Sequence, residues 1–71
     1  MTHSLERLES GTVLVFHDEE RIGHYWPDPL SGGFAAFKSS AQSHRPIARP
    51  KSERACILSI TDGAWDGEGW I

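Results

Sequence analysis

Short apolar segments separated by turn-forming residues predict an antiparallel meander in the first half of the chain. Residues 12–16 are β-branched, leucine or aromatic, and successive side chains of such a strand point to opposite faces of a sheet. Residues 21–26 and 33–38 are predicted as the next two strands, because a polar loop precedes the first of them and a Ser-Gly-Gly turn the second.

Residues 52–61 combine the features of a helix and a strand, and the sequence favours the helix. Ser52 is a suitable N-cap, Glu53 has the charge preferred in a first turn, and Gly63 lies just past the expected end. A meander has one apolar face to cover, and a helix covers it with the least chain. The predicted fold is therefore α+β, a three-stranded antiparallel meander with one C-terminal helix packed on one face.

An all-β small barrel is the alternative fold. In that fold residues 54–61 and 64–71 form a terminal hairpin, with Asp62-Gly63 as a two-residue turn.

Near the start of the chain, residues 3–10 are predicted to form one or two helical turns, because two leucines three residues apart share a helix face.

The apolar pattern also predicts which residues form the core and which aromatic side chains remain outside it. Tyr25 points away from Trp26 and Phe34 away from Phe37, so one ring of each pair is expected outside the face that the helix covers. The predicted core residues are Val13, Val15, Ile22, Phe37, Ala55, Leu58 and Ile60.

With 71 residues, the chain is expected to be a single small domain, 1–71, with a thin core. Cys56 has no second cysteine to pair with, and its apolar neighbours are typical of a small buried hydrophobe. The sequence shows no signal-like N-terminal segment and no apolar run long enough to span a bilayer. We therefore expect a cytoplasmic protein without membrane partners.

No catalytic, metal or cofactor motif stands out. The nearest histidines, His17 and His24, are seven residues apart, whereas structural zinc sites use ligand pairs two to four residues apart. Asp62, Asp66 and Gly67 match part of a calcium loop, but Ala64 stands where an oxygen ligand is needed. We expect no enzyme activity, no metal and no cofactor.

The aromatic residues favour a non-enzymatic protein-binding module, such as an adaptor or an inhibitor of the kind that phages and mobile elements encode. The chain has seven Phe, Tyr and Trp residues, more than a core of this size can fully bury, and exposed rings mark interaction sites. The predicted partner contacts are Tyr25, Trp26 and Phe34, with Asp18, Glu19 and Glu20 at the rim.

Nucleic-acid binding is the alternative function. The net charge is −3, yet residues 38–54 carry a local balance of +4 between two acidic segments. The residues predicted to contact phosphates are Arg45, Arg49, Lys51 and Arg54. Three strands followed by a helix resemble, in element order, the arm-binding domains of phage-type integrases, which lay their sheet in a DNA groove. The acidic loop at residues 18–20 departs from that family.

Overall fold

A computed structural model describes residues 2–40 and 45–70. They form an antiparallel sheet in the order β1-β2-β3-β4, followed by one helix. The elements are β1 (His3–Arg7), β2 (Val13–His17), β3 (Glu20–Asp28), β4 (Gly33–Lys38) and α1 (Glu53–Ile60). The α+β class is confirmed, but the sheet has four strands where the sequence predicted three.

The fourth strand is β1, so the helical turns predicted for residues 3–10 are wrong. β1 pairs with β2, and Leu5 lies opposite Val15 in the core. The Leu8 N–H donates to the Thr12 carbonyl at 2.8 Å and continues this pairing into the connecting turn. An isolated helix of two turns is unstable in water, whereas a strand on this edge gains a full ladder of hydrogen bonds.

A β-bulge in β3 sets which residues face the helix. Val15 pairs with Gly23 but the next residue, Phe16, pairs with Arg21, so Ile22 is an extra residue. Ile22 consequently packs against the core, beside the buried Gly23. A Cβ atom at Gly23 would collide with the carbonyl oxygen of Phe37 and lie 2.5 Å from a methyl carbon of Ile60, so the approach of β4 and α1 together requires glycine here.

Helix α1 begins and ends as the capping residues predict, which excludes the barrel alternative. The Ser52 side chain accepts a hydrogen bond from the Ala55 N–H at 3.2 Å. At the other end, Thr61 is the C-cap and the Gly63 N–H donates to the Leu58 carbonyl. The helix packs against β3 and β4. None of the helical segments in the described ranges has the length and hydrophobicity needed to cross a bilayer.

The core lies between the sheet and α1, and it differs from the predicted set at several positions. Val13, Val15 and Ile60 are buried as predicted, whereas Leu58 is 37 % exposed. Ala55 and Phe37 are half-buried and lie outside the core cluster. That cluster consists of Leu5, Val13, Val15, Tyr25, Ala36, Cys56, Ile57 and Ile60, with Ile22, Phe34 and Trp65 packed against it.

The segment after β4 returns along the outer edge of that strand. Ala36 forms an antiparallel bridge with Ala48, and the Phe34 N–H donates to the Pro50 carbonyl at 2.8 Å. The chain thus closes one edge of its own sheet with part of its basic segment.

Candidate interaction surface

The two faces of the sheet have different surroundings. The face that carries Val13, Val15 and Tyr25 is covered by α1 and by Trp65 of the C-terminal tail. The pairing of the strands puts alternate residues on the opposite face, where none of the residues in 2–40 and 45–70 forms a helix. One row across all four strands of that face consists of Glu6, Leu14, His24 and Phe37.

Aromatic rings occupy the centre of this uncovered face. The His24 ring stacks on Phe37 with centroids 4.8 Å apart, and Trp26 lies 4.4 Å from Phe37 and 5.3 Å from His24. Trp26 is 37 % exposed, and the other two rings are half-buried. We call these three rings, together with the half-buried Leu14 and Phe16 on β2, the aromatic face.

Exposed apolar side chains extend the aromatic face beyond its centre. Ile47 is 40 % exposed, and because its neighbour Ala48 pairs with the core residue Ala36, Ile47 points to the uncovered side. Leu8 is 42 % exposed and continues the alternation of β1 on the same side. The apolar surface therefore reaches from the β1 side of the sheet to the segment beyond β4.

His24 places a titratable group within this apolar surface. Burial lowers the pKa of His24 below its usual value, and the nearby Arg21 charge lowers it further. A neutral imidazole is therefore favoured there, and it stacks on Phe37 as an aromatic surface without a charge.

Of the three rings predicted as partner contacts, only Trp26 lies on the aromatic face. Tyr25 is fully buried, so its predicted exposure is wrong. Its hydroxyl donates to Glu53 Oε1 at 3.0 Å, and Arg7 donates to the same oxygen at 2.8 Å. Phe34 packs edge-on against Tyr25 on the helix side. Tyr25 points to the core because it pairs with the core residue Val13, and Phe34 does so because it lies two residues before the core residue Ala36.

The predicted acidic rim forms the turn between β2 and β3 and the start of β3. Asp18 and Glu19 both have positive φ, and Glu20 begins β3 opposite His17. The Asp18 carboxylate accepts a hydrogen bond from the Thr2 N–H at 2.6 Å, which holds this turn beside the start of β1. That hydrogen bond lowers the pKa of Asp18. The turn lies at one end of the sheet, away from Trp26 along β3.

The basic residues predicted to contact phosphates are engaged within the chain. Arg49 pairs with Asp28, and Arg54 pairs with Asp66 at 2.7 Å. The Lys51 ammonium donates to the Ser31 carbonyl at 2.6 Å. Arg45, the remaining member of the set, is exposed and also has an interaction partner.

A cleft of about 780 Å³ lies at the end of the sheet, lined by residues of β1, β2, β3 and β4 and by the C-terminal end of α1. His3 and His17 stack at 4.6 Å in its wall, and Lys38 and Asp62, which also line it, form an ion pair. Among residues 2–40 and 45–70, His, Cys, Asp and Glu do not gather in groups of three or more that would hold a metal ion.

Sequence reasoning missed Leu14, Phe16, His24 and Phe37 as surface residues. Alternation along β3 does place His24 beside Trp26, and that was the available signal. Which side of the alternation meets the helix depends on the β3 bulge and on the docking of α1, neither of which the pattern specifies. Comparisons of the chain with family models, with curated proteins and with solved structures found no match.

Proposed function

We propose that this chain is a non-enzymatic protein-binding module that docks an apolar surface of a partner protein onto the aromatic face. The observation that supports this most is the stacked group of His24, Trp26 and Phe37 on the sheet face that the one helix of the described residues leaves uncovered. Exposed apolar patches of this kind mark interaction sites, and tryptophan is enriched among residues that dominate binding energy.

The charges support a protein partner over a nucleic acid. Phosphate binding needs cations that are free to replace counterions. Here Arg49, Lys51 and Arg54 already interact with oxygen atoms of the chain, and the net charge is −3. An adaptor, or an inhibitor of a larger protein of the kind that phages and mobile elements encode, is the finer form of this proposal.

The test substitutes two rings of the aromatic face and, as a control, an exposed apolar residue elsewhere. Trp26→Ala combined with Phe37→Ala is expected to abolish capture of a partner by immobilised protein. Leu30→Ala is the matched control, because Leu30 is 97 % exposed in the turn between β3 and β4. Capture is measured by quantitative mass spectrometry, and circular dichroism and thermal melting check that each variant folds.

Two outcomes would contradict the proposal. One is a captured protein that binds the double variant and the wild type equally. The other is a shift of random duplex or single-stranded probes at low salt that the substitutions at Trp26 and Phe37 leave intact, since binding through the basic segment predicts that result. A single variant, His24→Ala, provides a third surface position if the double variant is unstable.

A further inference from the structure

The outer edge of β1 carries backbone groups that no hydrogen bond within the described residues satisfies. The Leu8 N–H donates to Thr12 and the Asp18 N–H donates to Thr2, so the even-numbered residues of β1 direct their backbone groups toward β2. Because these directions alternate along an antiparallel strand, the N–H and C=O groups of the odd-numbered residues point outward. Those residues are His3, Leu5 and Arg7.

The two edges of the sheet therefore differ. The edge at β4 is closed by the return segment, through Ala48 and Pro50. β1 is the terminal strand on the other side, and neither proline nor a bulge interrupts its outer edge; its protections are its length of five residues and the exposed charges of Glu6 and Arg7. An edge of this kind is a template for another strand.

We propose that a second copy of this chain pairs with this edge, β1 against β1 in antiparallel orientation, about a two-fold axis at Leu5. In this register Leu5 lies opposite Leu5 of the second copy, and His3 lies opposite Arg7. The Leu5–Leu5 pair and the His3–Arg7 pairs are of the hydrogen-bonded kind, so every outward N–H and C=O of His3, Leu5 and Arg7 obtains a partner.

The side chains of β1 are compatible with this symmetric register. Ser4 lies opposite Glu6 of the second copy on the uncovered side, so no two carboxylates face each other. On the helix side, Arg7 approaches His3 of the second copy, and the Arg7 charge is already paired with Glu53 at 2.8 Å. Burial and the neighbouring His17 lower the pKa of His3, which favours its neutral form beside Arg7.

The assembly would be a continuous eight-stranded sheet. A two-fold axis perpendicular to the sheet places both helices on one side and both aromatic faces on the other. This pairing uses only the edge of β1, so it is independent of the proposed function of the aromatic face.

The first test compares two variants that carry opposite charges at Ser4. Ser4→Glu places a carboxylate opposite Glu6 of the second copy, and Ser4→Lys places an ammonium there. Sedimentation equilibrium should give a dimer dissociation constant on the order of tenfold weaker for Ser4→Glu than for Ser4→Lys, since the pair occurs twice in the dimer. A monomer at all concentrations, or equal constants for the two variants, overturns the proposal.

The second test identifies the register. Ser4 and Glu6 of the second copy form a non-hydrogen-bonded pair, in which Cα atoms are roughly 4.5 Å apart and within reach of a disulfide. Mild oxidation of a mixture of Ser4→Cys and Glu6→Cys proteins should give a mixed disulfide dimer, identified by mass spectrometry. The wild type, with only the buried Cys56, should give none.

Each single cysteine variant oxidised alone is the control for random cross-linking. Rapid cross-linking of Ser4→Cys to itself, with no preference for the mixed dimer, overturns the register. Thermal melting of all variants confirms that each retains the fold, so a lost dimer is distinguished from an unfolded chain.

Discussion

Glu19 has a backbone conformation that costs free energy in the folded protein. Asp18 and Glu19 form the two-residue turn between β2 and β3, with φ of 51° and 73°. Two consecutive positive φ values match the turn that suits the twist of a hairpin, and its preferred sequence is Asn-Gly or Asp-Gly. Asp18 fits this preference, whereas Glu19 has a Cβ where glycine is favoured.

Glu19→Gly is therefore expected to stabilise the fold by about 1 kcal/mol. The substitution relieves the strain of the left-handed conformation in the folded protein, and this gain exceeds the stability lost because glycine makes the unfolded chain more flexible. The free energy of unfolding is measured by urea denaturation. Asp18→Gly is the matched control and should gain less or lose stability, because it also removes the hydrogen bond from Thr2. A loss of stability in Glu19→Gly would show that the turn is not strained there.

At the scale of the elements, Glu53 joins the first turn of α1 to two strands. Its carboxylate accepts hydrogen bonds from Arg7 of β1 and from the buried hydroxyl of Tyr25 on β3. The Arg7 hydrogen bond is the main cause that lowers the pKa of Glu53, and the Tyr25 hydrogen bond adds to it. One side chain therefore fixes the helix N-terminus over both strands.

The lowered pKa of Glu53 predicts a loss of stability in acid. The unfolded chain, with the ordinary Glu53 pKa of 4.5, binds the proton more tightly than the folded chain. The contribution is fully present above pH 4.5 and is lost as the pH falls through the lower folded value. Urea midpoints measured from pH 7 to pH 3 should fall less steeply in Glu53→Gln than in the wild type. Glu9→Gln, an exposed control, should keep the steeper profile.

The elements that have local signals could be predicted from the sequence, and those that depend on pairing could not. Ser52 and Glu53 determine where α1 begins, and the apolar run at residues 12–16 predicts β2 to within one residue at each end. β1 was missed because Leu5 and Leu8 have the spacing of a helix face. Only pairing with β2 makes this segment a strand.

The candidate site was predicted only in part, for a related reason. Alternation along β3 separates Tyr25 from Trp26, but both faces of the sheet carry aromatic rings, so composition does not identify the covered one. Ile22 and Gly23 both belong to the helix side because of the bulge, and a bulge has no simple sequence pattern here. The exposed position of Trp26 was predicted, and the partners of its ring were not.

At the scale of the whole molecule, the tail completes the core. The Thr61 hydroxyl donates to the Ile57 or Trp65 carbonyl and accepts from the Trp65 N–H at 3.1 Å, and so ties the tail to α1. The Trp65 ring stacks on His3 at the start of β1. Cys56 lies in the core that this tail helps to cover, with none of its surface exposed, and burial raises the pKa of its thiol to about 11.

The Cys56 thiol is consequently expected to react with Ellman's reagent only when the whole fold opens. At pH 8 the thiol is protonated and out of contact with solvent, so the labelling rate should be set by the small fraction of molecules that are open and should rise in urea. Trp65→Ala, which removes part of the cover over the core, should speed labelling by the same factor by which it raises the equilibrium constant of unfolding. Immediate, complete labelling of protein with a native circular dichroism spectrum would contradict this.

The order of the elements has a consequence for how the protein is made. A ribosome releases the residues of β1 to β4 before those of α1, so the apolar side chains of the strands leave the ribosome before the helix that covers one face of the sheet. The late arrival of residues 53–65 leaves the nascent strands open to aggregation. Overproduction should therefore give more soluble protein when a holdase chaperone, which binds exposed apolar segments, is supplied alongside.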